Sequence, residues 1–578
     1  MIHLEVAVAV PIYQTLTYCL PKSASNVELS DVVRSTFIGR RALVALGKRM
    51  VTGYVVDACT EPSEKSEFTI RPIIKFLDEY SLFQETLTSF FKWVADYYQY
   101  PIGLVVKSAL PGGLAPQSKI ILEVLDREVF LQKAVTGDQP SWLIELCDKG
   151  KIDKKKATVK FSPRDKKLLK QLYAENCVVE KVEIVKDSVR EKTEVCYQVN
   201  DPFFPKPAES PEEFGDLDAY RIRVSNFLGK KIKVSETKTL IALFKAMKTG
   251  GANYGAVKDI KKIYTGVKAP LQTFEDIGVV TKEKKRIYRS PFGEQLRHYP
   301  RPETLTKEQN LVMSELEPAI EKKQFCPFLL HGVTGCGKTE VYLRAAEMTL
   351  EQGRDVIILV PEIALATQLE AHLLSRFQDL VVLLHSGLTS AERYDQFFLA
   401  LSGQARIVIG ARSAIFAPLK DPGLIIVDEE HDTSYKQDDS FRYHGRDLAV
   451  LRARHQNSVV LLGSATPSVT SFENAKTGKY NLLTMKNRVG SSSLPTVELV
   501  DLSLKTNKKK NKSSIIQQRL LFKLESTIAD NKQAVLLLNR RGFSTALLCK
   551  DCGTPVQCNH CNVSLTLHKG RKKLVCHY

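Results

Sequence analysis

The sequence contains no run of about 18 apolar residues, the length a bilayer-spanning helix needs. Its first residues, MIHLEVAVAVPIYQ, carry neither a basic leader nor a small-residue cleavage site. These absences argue against membrane insertion and secretion, so a cytoplasmic protein with no membrane partner is expected. Solenoid-type repeats are also missing. Seven of the twelve cysteines (Cys19, Cys59, Cys147, Cys177, Cys196, Cys326 and Cys336) are scattered, as buried apolar residues are in a reducing compartment. Acidic residues are in deficit: 65 Asp and Glu face 83 Lys and Arg, a formal charge of +18. That excess would concentrate a polyanion such as DNA or RNA, although a soluble basic protein with no such partner has the same composition.

At 578 residues the chain is too long for one core, and several domains are expected. Residues 1–112 alternate in the strand manner (HLEVAVAV, RALVAL, GYVVDA), with GKRM as a hairpin turn. They close on the amphipathic helix QETLTSFFKWVADYYQY, stopped by Pro101, and LPGGLAP then reads as a linker. Residues 113–298 are lysine-rich. Two helical segments near their end, TKTLIALFKAM and APLQTFEDIGVV, precede the strand-like TKEKKRIYRSP, which suggests a winged helix, although any small helical domain gives the same pattern. Residues 299–488 alternate continuous apolar runs (PFLLHG, VIILVP, LIIVDEE, VVLLGSAT) with helices, the signature of a buried parallel sheet in a doubly wound α/β domain. In residues 489–548 the helix and strand after LKTNKKKNKSS, the strand being AVLLLN, would open a second α/β lobe.

The strongest chemical signal is HGVTGCGKTE, where Gly332, Gly335, Gly337, Lys338 and Thr339 form a P-loop between a strand and a helix. Glycines let backbone N–H groups turn toward phosphates at a helix N-terminus, while Lys338 reaches the β/γ-phosphates and Thr339 the Mg²⁺ of Mg·ATP. The strand LIIVDEEH supplies Asp428 to hold Mg²⁺ and Glu429 to orient or deprotonate the attacking water. Gln309, just before the first strand, is placed to read adenine through its carboxamide, a surface glutamine being the ordinary alternative. Arg412 and Ser413 in GARSAIFAP, with Thr367 and Gln368, lie at strand ends where ligands gather and are candidates for gripping a DNA backbone. In TSYKQDDSFRYHGRD, Tyr435, Phe441 and Tyr443 interleave with Lys436, Arg442 and Arg446. Aromatics that stack on bases beside cations that meet phosphates hold single strands without sequence preference, and an ordinary packed loop is the alternative. Ser464 to Thr466 in GSATPS fit a relay sensing the γ-phosphate.

The remaining five cysteines, Cys549, Cys552, Cys558, Cys561 and Cys576, fall in residues 549–578. Their paired CxxC steps are a Zn²⁺ signature, because thiolates satisfy tetrahedral zinc.

These motifs in this order resemble superfamily-two helicases. The wording GVTGCGKTEVY, VPEIALATQ, GARSAIFAP, DEEHD, RYHGRDLAVLRA, GSATPS, LNRRGF and WVADYYQYPIG is similar to the bacterial primosomal replication-restart helicases, the PriA family. The resemblance implies a multidomain α/β fold: a small β-rich N-terminal domain that binds the 3′ end of the nascent leading strand, a winged-helix-like region, a RecA-like doubly wound helicase lobe that binds ATP, and the start of a second lobe with a zinc-binding insertion. It implies a 3′-end pocket built from Leu16, Thr17 and Tyr18 with Gly47. The family commonly has Asp after an aromatic where this chain has Leu16 and Thr17. It further implies two zinc sites made by eight interleaved cysteines, of which five are here, and a second-lobe arginine that would lie beyond Tyr578, so a C-terminally truncated fragment that turns over ATP poorly is expected. The implied function is ATP-dependent 3′-to-5′ unwinding that recognises stalled or repaired forks and initiates primosome assembly. Implied partners are forked and single-stranded DNA, single-stranded DNA-binding protein, and primosome or helicase-loading proteins. A fork-binding module with an inert motor and a duplex translocase are the alternatives.

Overall fold

The computed structural model describes residues 2–20, 30–47, 49–60, 70–112, 114, 118–125, 140–158, 161–184, 189, 191–201, 204, 217–249, 253–289, 291, 299–361, 363–490, 496–500, 518–537, 554–561, 564–568 and 573–576. It divides into two units, Met1–Gly490 and Ser491–Tyr578.

The first 112 residues contain β1 (His3–Val8), β2 (Leu16–Cys19), α1 (Asp31–Phe37), β3 (Arg41–Leu46), β4 (Arg49–Cys59), β5 (Arg71–Pro72), β6 (Lys75–Phe76), α2 (Glu85–Tyr97) and α3 (Ile102–Ala109). Strand alternation sends Leu4, Val6 and Val8 into one core with Tyr18, Val44 and Val55. The strands run β5-β2-β1-β4-β3-β6. Residues 71–76 then touch both edges, since Ile73 N donates to the Cys19 carbonyl and Ile74 N to the Leu43 carbonyl. The sheet thus curls shut as a small barrel and leaves little open edge. The sequence pattern marks no element over 102–109, where the structure has α3. Pro101 ends α2 and also starts α3, and Gly103 lies so close to the Val8 carbonyl that a Cβ there would sit at 1.8 Å.

Between barrel and motor lie two small modules: the expected helices TKTLIALFKAM and APLQTFEDIGVV and the strand after them fall in the second, and the first is additional. The first comprises β7 (Ser118–Val124), α4 (Ser141–Lys149), β8 (Lys151–Asp153), α5 (Lys154–Thr158), α6 (Pro163–Ala174) and β9 (Val178–Ile184). The second comprises β10 (Lys192–Val199), α7 (Leu217–Leu228), α8 (Val234–Thr249), β11 (Gly255–Ala256), α9 (Val257–Ile263), α10 (Lys268–Asp276) and β12 (Val280–Ile287). In each, the first strand is central and pairs antiparallel with the short strand and with the last one. Each has its own core, around Leu122, Trp142 and Leu146 in the first and Leu240, Leu243 and Phe274 in the second.

The motor contains α11 (Lys307–Glu321), β13 (Cys326–Gly332), α12 (Lys338–Glu351), β14 (Asp355–Leu359), α13 (Ile363–Phe377), β15 (Val381–Leu384), α14 (Ser390–Ser402), β16 (Ile407–Gly410), β17 (Pro422–Val427), α15 (Gly445–His455), β18 (Val459–Ser464), α16 (Val469–Lys476) and β19 (Asn481–Met485). Its seven strands run β15-β16-β14-β17-β18-β13-β19 and are all parallel. Strands covered on both faces are apolar throughout, which is why they read as unbroken hydrophobic runs. The core under β14, β16 and β17 continues into Phe90, Phe91 and Val94 of α2, so barrel and motor share one apolar interior.

The second unit holds α17 (Gln518–Ala529) and the antiparallel pair β20 (Thr566–His568) and β21 (Lys573–Val575). The expected strand AVLLLN is not formed over 534–537, where Val535 and Leu537 are each 94% exposed. A buried parallel strand needs a neighbour on either edge, and none is present among the described residues. Residues 538–553 lie outside the described set. No described helix is long and apolar enough to cross a membrane.

Candidate nucleotide and nucleic-acid sites

β13 delivers the chain to the sheet's C-terminal edge at Gly332, and the next residues wrap into α12 with Gly335 at φ +81° and Gly337 at φ +88°. Such angles favour glycine. Lys338, 9% exposed, folds its ammonium back onto the Gly332 carbonyl at 2.8 Å, and Thr339 follows half-buried in the first turn. The backbone donors and the helix terminus face the crevice beside β18 and β17, where doubly wound sheets bind phosphates.

Across that crevice Asp428 leaves the end of β17. The Tyr342 hydroxyl donates to its carboxylate at 2.9 Å. Gly463 makes this possible, because a Cβ there would fall 1.8 Å from the Tyr342 oxygen. Burial pushes the Asp428 carboxyl above the usual range against the Tyr342 hydrogen bond; the Glu429 charge adds to the rise and Lys338 opposes it. The Asp428 carboxylate and the Thr339 hydroxyl offer the hard oxygen donors a divalent cation takes. Glu429 is half-buried at φ +45°, an uncommon angle for a non-glycine residue, in a turn closed by Asp432 N on its carbonyl.

Sequence reasoning missed the groups behind this pair. Glu430 is fully buried and accepts from Arg446 Nη1 (3.0 Å), Ser468 N (2.7 Å), Ser468 Oγ (3.1 Å) and Ser471 Oγ (2.8 Å). His431 Nδ1 lies 2.7 Å from Ser464 Oγ, which also accepts from Thr466 N at 3.0 Å. The acidic turn and GSATPS are thus one hydrogen-bonded unit. Arg488, next to Val489 whose N–H closes on Gly335, lies beside the P-loop, and its buried Nε has no partner among the described residues. The one advance signal for Glu430 was its place in DEEHD.

Other expected residues are placed differently. Gln309 is buried as the reciprocal cap of α11: its Oε1 accepts from Thr306 N at 2.8 Å and its Nε2 donates to the Gly337 carbonyl at 3.2 Å. The carboxamide braces the P-loop, and both ends that would read adenine are engaged. Arg412 donates to the Ser434 and Lys436 carbonyls at 2.7 and 2.9 Å, whereas Ser413 is exposed. The side chains of Thr367 and Gln368 lie outside the described residues.

The aromatic loop requires a correction. Tyr435, Phe441 and Tyr443 are 0%, 3% and 7% exposed and cannot present ring faces to bases in this arrangement. Phe441 stacks on Tyr100 and Tyr443 (centroids 5.0 and 4.9 Å), and the Tyr435 hydroxyl lies 2.5 Å from the Asp428 carbonyl. Apolar ring area is better hidden between barrel and motor than exposed. Arg446, expected at a phosphate, is paired with Glu430; Lys436 and Arg442 remain exposed.

In the barrel, strand alternation splits the expected pocket. Leu16 and Tyr18 face inward, and the Tyr18 hydroxyl donates to the Ala45 carbonyl at 2.9 Å, two residues before Gly47. Arg71, beside Tyr18, donates to the Gly47 carbonyl at 3.1 Å. Thr17 faces outward and donates to Glu5 Oε1 at 2.7 Å, while Thr15 holds Oε2 at 2.7 Å. Glu5 thus sets a carboxylate against β2, from the neighbouring strand.

In the second unit the Sγ atoms of Cys558, Cys561 and Cys576 all lie within 4.8 Å of one another. Hydrogen bonds from the His560 and Cys561 backbone and from neighbouring thiols lower the Cys558 thiol to about 7. Three thiols at this spacing fit three corners of a tetrahedral zinc site, in which sulfurs about 2.3 Å from the metal lie closer together than 4.8 Å. Cys549 and Cys552 lie outside the described residues.

Three families match the chain: a PriA 3′ DNA-binding domain over residues 5–111, a DEAD/DEAH box helicase over 306–475, and a PriA DNA helicase Cys-rich region over 558–578. Replication restart protein PriA of Haemophilus influenzae is 32% identical over 574 residues, covering 99% of this chain and 63% of that protein. Replication restart protein PriA of Bacillus subtilis is 40% identical over 328 residues, 57% of this chain and 40% of that one. The chain therefore spans between two fifths and two thirds of these relatives' length. Among solved structures, RecG bound to a three-way DNA junction is 26% identical over 33% of this chain and 24% of that one, with a TM-score of 0.27.

Proposed function

We propose that the chain is a member of the PriA family of replication restart proteins and the fork-recognising, ATP-binding part of a 3′-to-5′ DNA helicase that reloads replication at abandoned forks. The observation that carries this reading is the crevice at the sheet's C-terminal edge, where the P-loop faces Asp428 and Glu429 and GSATPS is bonded to the same acidic turn. Gly335, Gly337 and Lys338 would hold the phosphates of ATP, and Thr339 and Asp428 the Mg²⁺ that shields developing charge. Glu429 would orient the attacking water, its position fixed by the turn that Glu430 anchors. Leu16, Tyr18 and Gly47, with Thr17 and Glu5 on the outer face, mark the barrel end that would receive a DNA 3′ terminus. Arg412 would position the motif turn, while exposed Ser413 contacts the strand.

We further assign residues 1–112 to 3′-end binding, 113–298 to duplex contact and connection, 299–488 to the first motor lobe, 489–548 to the start of the second, and 549–578 to zinc binding through Cys558, Cys561 and Cys576. Cys549 and Cys552 would serve a second zinc. Single-stranded DNA-binding protein and helicase-loading proteins are the proposed partners, in a bacterial cytoplasm. The test compares ATP hydrolysis in the presence of single-stranded, duplex and forked DNA. Highest stimulation by forks supports this reading, stimulation by plain duplex points to a translocase, and fork binding with no hydrolysis to an inert motor.

A further inference from the structure

The last strand of the motor sheet, β19, pairs in parallel with β13, Met485 standing opposite Gly332. Parallel neighbours deliver their next residues to the same edge of a sheet, the edge where ligands gather, so the chain leaving β19 emerges alongside the P-loop. It is then tied there. Val333 N donates to the Met485 carbonyl at 3.1 Å, and Val489 N donates to the Gly335 carbonyl at 2.9 Å. Between these ties, Asn487 N and Nδ2 donate to the two carboxylate oxygens of Glu308, at the start of α11, at 3.0 and 2.7 Å. Residues 485–489 thus form a strap laid along the phosphate loop, beyond the 306–475 stretch that matches the helicase family.

The strap carries a cation against the loop. A Cβ on Gly335 would lie 3.9 Å from Arg488 Cγ and Cδ and 4.0 Å from its Nε. That Nε is buried and has no hydrogen-bond partner among the described residues. Glu308, the acid the strap meets, has both oxygens engaged by Asn487. A buried donor of a charged group costs free energy when its acceptor is missing, so a guanidinium fixed in this way is suited to an acceptor that arrives from outside the chain. Beside a loop whose glycines let backbone N–H groups surround phosphates, that acceptor is a phosphate oxygen, and a guanidinium fork can take two such oxygens at once.

We infer that Arg488 is a second phosphate-binding cation of the nucleotide site, holding the polyphosphate from the strap while Lys338 holds it from within the loop. The inference rests on the ATP-binding reading above and adds to it a residue outside the motifs that carry that reading. The bonds of Asn487 and Val489 are what hold the guanidinium in register with the loop.

The test measures ATP affinity of the whole chain by displacement of a fluorescent ADP analogue, a readout that needs no turnover. Arg488→Ala should weaken ATP binding by about tenfold to a hundredfold, the range of a hydrogen bond to a charged group. Arg488→Gln, which keeps a stem and a donor without the charge, should also lose affinity, and Arg488→Lys, which keeps the charge without the fork, should recover part of it. Lys486→Ala, at an exposed cation of the same strap, should bind ATP as the unsubstituted chain does. Urea midpoints of the variants separate a phosphate contact from a brace: affinity lost at an unchanged midpoint supports the contact, whereas affinity that falls only in step with the midpoint overturns it. Unchanged ATP affinity in Arg488→Ala and Arg488→Gln overturns the inference and spares the ATP-binding reading. An unsubstituted chain that binds neither ATP nor the ADP analogue overturns both.

Discussion

Arg446→Ala should destabilise the first unit by about 3 kcal/mol, at the low end of the 3–5 kcal/mol for breaking a buried ion pair. Glu430 is fully buried, and of its four donors only the Arg446 guanidinium carries charge. Its removal leaves a carboxylate solvated by two serines alone. The low end applies because the Arg446 side chain is 13% exposed and is shared with solvent-facing Asp447 at 2.8 Å. Glu430→Gln keeps the shape and removes the charge, so the double variant should cost less than the sum of the two singles, by about 1 to 3 kcal/mol. Urea denaturation of the four proteins measures the cycle. Since Glu430 anchors the turn that bears Glu429, ATP turnover should fall in Arg446→Ala while the KM for ATP stays within a few-fold. Additivity within about 0.5 kcal/mol would show that the pair does not act as a unit and would remove Arg446 from the support of the acidic turn.

Lys338→Ala should abolish ATP hydrolysis and spare fork binding, since the proposed DNA contacts lie elsewhere; retained hydrolysis would refute the phosphate site. Tyr342→Phe removes a hydrogen bond to a charged group, worth about 1.5 to 3 kcal/mol. That bond lowers the Asp428 pKa, so its loss raises it, and the acid limb of the ATPase pH profile should move to higher pH with a greater Mg²⁺ requirement. An unmoved profile would count against Asp428 as the cation ligand. Phe441→Ala should cost about 3 to 5 kcal/mol as a core truncation before any effect on DNA-stimulated hydrolysis is read, whereas a loop ring that served only to stack on bases would leave stability alone. Cys561→Ser should lower the zinc content measured by emission spectrometry, and Cys59→Ser should not; equal zinc in both would exclude the proposed thiol cluster.

The parallel sheet and its phosphate edge were legible because both depend on local pattern: apolar runs bury on two faces, and GVTGCGKT needs only its flanking strand and helix. The barrel's strands were visible for the same reason, but its closure was not. Closure depends on residues 71–76 reaching both edges, a long-range pairing that no window reports. The first small module went unread because short elements such as α5 and β8 carry too few periods to register. Within the site, spacing located Lys338 and Asp428, but the reach of Tyr342 past Gly463 is a contact across 121 residues of sequence. Alternation of aromatic and basic residues in TSYKQDDSFRYHGRD fits a base-stacking strip and a packed loop equally well. What decided between them was the presence of α2, contributed by a different part of the chain.

That contact gives the aromatic loop a different role from the one its composition suggests. Phe90 and Phe91 of α2 meet Phe416, which stands on the turn of Arg412 and Ser413, and Tyr100 stacks on Phe441. Tyr98, at the end of α2, accepts a hydrogen bond from His444 N at 3.2 Å, at the start of the helix that carries Arg446. Arg446 leads to Glu430 and Tyr435 to the Asp428 backbone. A shift of the barrel relative to the sheet would therefore have to repack a dense aromatic interface, and packed interfaces of this kind move between discrete arrangements rather than yielding continuously. Because the same side chains brace the proposed Mg²⁺ ligand Asp428 and the turn of Glu429, an arrangement selected by DNA at the barrel would also be felt at the nucleotide crevice. The Arg446–Glu430 cycle, measured with and without forked DNA, tests that coupling: a coupling energy that changes when DNA binds identifies the pair as part of the bistable element, and one that stays fixed confines it to structure.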